Sequence, residues 1–170
     1  MRFYFVTNDK WYSKLHRLIA GEKSTHIGLI FFYCDLNIVV DCTKPYGKVY
    51  HLSTWLHKYR KISILELPLN SHIEKFFYKK IVSENVNVHY DFKAYYYAWI
   101  MAIRKFLFKI PYPKKNKWKT DGKLCVEILE PIKKYLTDFD IDLMDIDLAA
   151  ISPEMLFNIL KDKKNIRVIE

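Results

Sequence analysis

The spacing of apolar residues changes character once along this chain. Up to Leu67 it runs in short aromatic and β-branched blocks, and from Ser71 onward it recurs every three or four positions. Arg2–Thr7 reads as a strand and Trp11–Ala20 as a short amphipathic helix. Thr25–Tyr33 and Ile38–Thr43 are β-rich runs separated by Cys34-Asp35-Leu36-Asn37, whose Asp and Asn favour a turn, so the two should pair as a hairpin. Lys44-Pro45-Tyr46-Gly47 signals a second turn and Lys48–His51 a returning strand. Ser53 can cap a helical turn through Tyr59, and Lys61–Leu67 is strand-like again. In the second half, Ser71-His72-Ile73-Glu74 matches a capping box, and Ile73, Phe76, Phe77 and Ile81 share the face that follows it. Asp91 opens a long helix whose stripe of Phe92, Tyr95, Tyr96, Trp99, Ile103 and Phe106 is expected mostly in the core. Pro111-Tyr112-Pro113 should end that helix, Lys123–Tyr135 should form the next, and Ser152-Pro153-Glu154 should start the last. Strands early and helices late predict an α+β fold, as a single domain over residues 1–170.

Composition narrows the picture. The chain is 51% apolar and has only four Gly and six Pro, which argues for a folded core and against disordered linkers. Three cysteines, Cys34, Cys42 and Cys125, form no CxxC pair, so neither a disulfide framework nor a zinc site is expected, and a reducing compartment is the simpler setting. The longest apolar run, Ala94–Ile103, is half of what a bilayer-spanning helix needs. The start, MRFYFVTNDK, lacks the apolar stretch of a secretory signal, so a cytoplasmic location is expected.

Several motifs fail on inspection. Asp138, Asp140, Asp142, Asp145 and Asp147 resemble a calcium loop, but Leu143 and Ala149 stand where Gly and Glu are required, so a solvated acidic loop is expected. HExxH and a glycine-rich phosphate cradle are both missing, and no cofactor is expected. The formal charge of +9 and the basic loop 114–123, in which lysines interleave with Trp118, suit an anionic partner, either lipid or nucleic acid; a mobile surface loop is the plainer reading.

Thiol chemistry supplies a sharper candidate. A nucleophilic cysteine needs a base to share its proton and a polar group to orient that base. Cys125 follows Asp121-Gly122 and should lie in the first turn of a helix, where unpaired N–H groups favour a negative sulfur. His26 shares its strand face with Gly28, whose missing side chain leaves space beside the ring for backbone or substrate. A hairpin centred between Tyr33 and Cys34 would put Asp41 directly across from His26, whereas the turn-forming Asp35 and Asn37 argue for a later centre that slides the pair apart.

Thr25-His26-Ile27-Gly28, an acid fifteen positions after the histidine, Tyr90-Asp91, Cys125-Val126-Glu127 and Ser152-Pro153-Glu154-Met155-Leu156 together resemble the circularly permuted papain-like cysteine hydrolases. The closest branch is the YiiX-like one, related to the NlpC amidases and to lecithin retinol acyltransferase, and the matches run from about residue 24 to 160. The resemblance implies a permuted papain-like, NlpC-related fold, with an antiparallel sheet or partial barrel packed against helices. It implies Cys125 as nucleophile, His26 as general base and acid, and Asp41 as the orienting group. Tyr90, with Gly28 and Val126, would line the substrate pocket; Val126 stands where relatives carry a small residue. Glu127 matches the acid of the family signature and takes a structural role. The implied activity is a cysteine peptidase or amidase working through an acyl-enzyme, on cell-wall peptides of a bacterium or its phage. The alternatives are a lipid-directed thiol acyl hydrolase or acyltransferase, suggested by the basic loop and Phe106-Leu107-Phe108, and a non-catalytic basic binding protein.

Overall fold

The structure is a computed structural model and describes residues 1–111 and 113–169. Six strands form one antiparallel sheet in the order β4-β3-β2-β1-β5-β6: β1 Arg2–Thr7, β2 His26–Tyr33, β3 Leu36–Cys42, β4 Gly47–His51, β5 Arg60–Glu66 and β6 Arg167–Ile169. The sheet stays open, so the partial-barrel option gives way to a sheet packed against helices. Among the helices, α1 is Trp11–Ala20, α2 Leu52–Leu56, α3 Ser71–Asn85, α4 Phe92–Phe108 and α5 Pro153–Leu160, and a 3₁₀ helix covers Val126–Phe139.

β2 is apolar without alternation because both of its faces are covered. On one side Phe3, Phe5, Ile27, Leu29 and Phe31 pack with α3, the 3₁₀ helix and α5 through Phe77, Ile128, Leu129 and Leu156. On the other, Tyr4, Val6, Ile30 and Val39 close over Trp55 of α2. Burial on both faces ties the central strands to two sets of contacts.

Several local signals hold and others change. Ser53 lies inside α2, bonded to His51 Nδ1, and does not cap it; His51 stands at the N-cap, α2 stops at Leu56 short of Tyr59, and the helix expected over Lys123–Tyr135 is the 3₁₀ helix Val126–Phe139. Asp91 and Ser152 cap α4 and α5, accepting from the N–H groups of Ala94 and Met155. α3 is capped by Asn70, which accepts from Ile73, and not by the Ser71 box; Glu74 instead accepts from Phe32 N–H and pairs with the chain's amino terminus. α4 turns a different face inward from the one expected. Ala94, Tyr97, Met101 and Ala102 are buried, while Phe92, Tyr96 and Phe106 are 45, 61 and 50% exposed. A helix that is apolar nearly all round does not select its buried side by periodicity. Here the small alanines face inward, and Asn116 reaches from the 114–123 loop to the Ala94 and Ala149 carbonyls. α4 stops at Phe108, with Lys109 left-handed; of Pro111-Tyr112-Pro113, Tyr112 lies outside the described residues.

The basic loop is also less free than expected. Asn116 is buried and its N–H donates to Asp147, which itself accepts from Ala149 N–H, so one member of the acidic run is a structural acceptor. Lys119 turns inward onto Asp91 and Glu127, at 3.5 and 3.3 Å, and donates to the Thr120 and Gly122 carbonyls.

Candidate functional site

The β2–β3 hairpin turns at Cys34-Asp35, both left-handed, and pairs Tyr33 with Leu36 through to Leu29 with Val40. Continuing that register places Asp41 across from Gly28 and diagonal to His26, the later-centred alternative. A slide of two residues preserves side-chain parity, so both groups stay on one face. They meet, with His26 Nε2 2.5 Å from Asp41 Oδ1.

The second Asp41 oxygen is taken by a residue that the sequence did not single out. Trp55 Nε1–H donates to Asp41 Oδ2 at 2.7 Å, and both side chains are buried. The indole also occupies the space beside Gly28: a Cβ there would come within 2.6 Å of Trp55 Cζ2. The missing side chain of Gly28 therefore makes room for Trp55 and not for substrate. Tyr59 stacks on the imidazole, with centroids 5.0 Å apart and planes 14° from parallel. Burial alone would push the His26 pKa down, but Asp41, followed by Tyr59 and Cys125, holds it well above the ordinary histidine value. With Nε2 committed to Asp41, Nδ1 is the nitrogen left for another partner.

Cys125 ends the loop that leads into the 3₁₀ helix and is buried at its start. Three features hold that loop. Gly122 passes so close to the 89–91 segment that a Cβ would lie 2.9 Å from Asp91 N and His89 O. Tyr90 and Lys123 form a parallel bridge. Glu127 accepts from Leu124 N–H at 2.8 Å and faces Lys119, and its burial pushes its pKa up, so this carboxylate shapes the turn carrying the sulfur. The Cys125 charge is a lesser cause of the raised pKa of both His26 and Tyr90. Among the described residues no hydrogen bond joins its sulfur to the His26 ring. Val126 is buried in the main core and is not part of the cleft wall.

The other two cysteines differ in setting. Cys42 is buried on the core side of β3, and burial, followed by the Asp41 charge, pushes its thiol far up, while Cys34 is exposed in the hairpin turn. Tyr90 is half-buried, and burial, then Cys125, holds its hydroxyl well above the usual tyrosine range.

A cleft of about 230 Å³ opens over this region, with His26, Tyr59, Tyr90, Tyr95, His16 and Lys44 in its wall. Sequence spacing gave no signal for Lys44, which lies 4.6 Å from the centre of the Tyr95 ring, or for His16, whose pKa burial lowers. The concavity is walled by an oriented imidazole and tyrosine hydroxyls, and Cys125 is not among the residues of its wall.

The fold and site together define an α+β class, an open antiparallel sheet with helices against it and a His–Asp pair at one end of neighbouring strands. No family model and no curated protein matches the chain. Among solved structures it is similar to the crystal structure of the metalloprotein yiiX from Escherichia coli O157:H7, with a TM-score of 0.56 and 13% identity over 99% of this chain and 94% of that one. At that identity the likeness is one of fold. yiiX is described as a metalloprotein, but among the described residues here no three His, Cys, Asp or Glu side chains gather as a metal centre.

Proposed function

We propose that this chain is a cysteine hydrolase that cleaves an amide through an acyl-enzyme, with Cys125 as nucleophile, His26 as base and acid and Asp41 as the orienting group. The observation that carries the reading is the His26–Asp41 bond at 2.5 Å, locked from behind by the Trp55 indole N–H. It fixes the ring's direction and leaves Nδ1 uncommitted to Asp41, which supports the role assigned to that nitrogen toward the thiol. A raised His26 pKa supports an imidazolium, the partner a thiolate requires.

In the reaction, Cys125 Sγ attacks the carbonyl carbon and the C=O π pair moves to oxygen, where N–H groups at the helix start, lacking intrahelical partners, can receive the charge. As the C–N bond breaks, His26 gives its proton to the leaving amine. Water then loses a proton to His26 and attacks the thioester, and the C–S bond breaks to return the thiolate. Tyr90 and Tyr59 line the pocket, and a cell-wall peptide is the substrate class we favour. A second reading, acyl hydrolysis or transfer on a lipid, draws on an apolar groove that adjoins the cleft through Tyr12, Lys44 and Tyr95.

Intact-mass analysis with a panel of electrophilic acyl probes tests the proposal and reports which acyl group is accepted. One adduct is expected, on Cys125, abolished in Cys125→Ala and slowed at least about a hundredfold in His26→Ala. Adducts confined to exposed Cys34, or unchanged in Cys125→Ala, would refute it.

A further inference from the structure

α1 and α4 leave apolar faces uncovered by the rest of the fold. On α1, Trp11, Leu15 and Leu18 are exposed at helical spacing, by 75, 38 and 72%. On α4, Tyr96, Ile100, Ile103 and Leu107 continue such a stripe, exposed by 61, 40, 36 and 59%. Between them lies a groove of about 460 Å³ walled by Trp11, Leu15, Trp99, Ile100 and Ile103. At the end of α4, Phe106, Phe108 and Ile110 project further apolar surface, exposed by 50, 66 and 38%.

Charge is partitioned with the same boundary. Residues 10–20 and 92–120 hold 11 of the 28 Lys and Arg and none of the 19 Asp and Glu, so the rest of the chain, with 17 against 19, is slightly acidic. The two segments that carry the exposed apolar stripes therefore carry all of the net positive charge. Arg104, Lys109, Lys114, Lys115 and Lys117 are exposed around and just beyond the α4 tip.

We propose that the α1–α4 face docks on an anionic lipid bilayer, with Phe106, Leu107 and Phe108 entering the headgroup region and the surrounding cations meeting lipid phosphates. Such a surface accepts an apolar strip without a matching shape and rewards cations of one sign at its rim. A protein partner would meet no acidic residue here to pair with its own cations, and a nucleic acid would leave the aliphatic Leu and Ile side chains in water. Because the groove and the cleft share Tyr12, Lys44 and Tyr95, docking would hold the cleft mouth at the interface. The inference stands apart from the hydrolase reading, since it uses neither Cys125 nor His26.

Cosedimentation of the full chain with large vesicles at physiological salt tests it, comparing neutral phosphatidylcholine with a mixture holding about 30% phosphatidylserine. The protein should pellet with the anionic vesicles and bind neutral ones at least about tenfold less. Lys114→Gln/Lys115→Gln/Lys117→Gln should weaken anionic binding about a hundredfold, at about fivefold per charge. Phe106→Ser/Phe108→Ser should weaken it about tenfold or more with an unchanged circular dichroism spectrum. Cys125→Ala should bind as the wild type does. Failure to pellet with either vesicle, or full binding by the Phe double variant, would overturn the proposal. So would a lipid-free dimer abolished by that same double variant, which would assign the face to a second copy of the chain.

Discussion

Glu22 offers a test of the fold's electrostatics that is independent of catalysis. It lies in the connection from α1 to β2, only 8% exposed, and its Oε2 finds no hydrogen-bond partner among the described residues. Burial is the main cause that raises its pKa from 4.5 to about 7; the neighbouring Glu154 charge adds to the rise, while a hydrogen bond with Ser152 and the charge of Lys105 oppose it. The native state then holds a proton that the unfolded chain releases at lower pH. Stability from this site is full below pH 4.5 and is lost as pH rises through about 7. At 1.36 kcal/mol per pH unit, the loss by pH 8 is about 3 kcal/mol. Glu22→Gln keeps the shape and removes the titration. In urea unfolding, the stability of the variant relative to wild type should rise by about 2–3 kcal/mol between pH 5 and pH 8, with the same m value. An equal difference at both pH values, or none at either, would refute the reasoning.

Two further substitutions probe the support of the His–Asp pair. Trp55→Phe strips the buried Asp41 carboxylate of its indole donor and should cost about 1–3 kcal/mol in thermal or chemical unfolding, with acyl-probe labelling of Cys125 slowed about tenfold; labelling at the wild-type rate would show that Asp41 does not depend on that donor. Gly28→Ala places a methyl 2.6 Å from the indole and should destabilise by about 1–3 kcal/mol through overpacking, visible as a lower melting temperature. An unchanged melting temperature would mean that Trp55 can yield.

The strands and the starts of α4 and α5 were readable because their signals are local. Asp91 and Ser152 cap helices that follow immediately, and Cys34-Asp35 turns a hairpin whose residues are neighbours in sequence. The His26–Asp41 pair was readable through parity, which survives a slide of two positions. Trp55 and Tyr59 were not, because they reach the pair from beyond β4 and no spacing rule links them to it. The buried side of α4 was hidden for a different reason: its apolar residues surround the axis, and only tertiary packing chose the alanines. Fold resemblance inferred from short motifs agrees with the likeness to yiiX at the level of architecture.

Lys119 has a consequence for how the sulfur is placed. Its single ammonium is shared by the acid that starts α4 and the acid that shapes the Cys125 turn. The thiol's position is thus gauged against the groove-bearing helix, while its prospective base is gauged against the sheet. A load applied to α4 from outside would reach the Cys125 turn through that ammonium and through the Asp91 N–H bond to the Lys123 carbonyl.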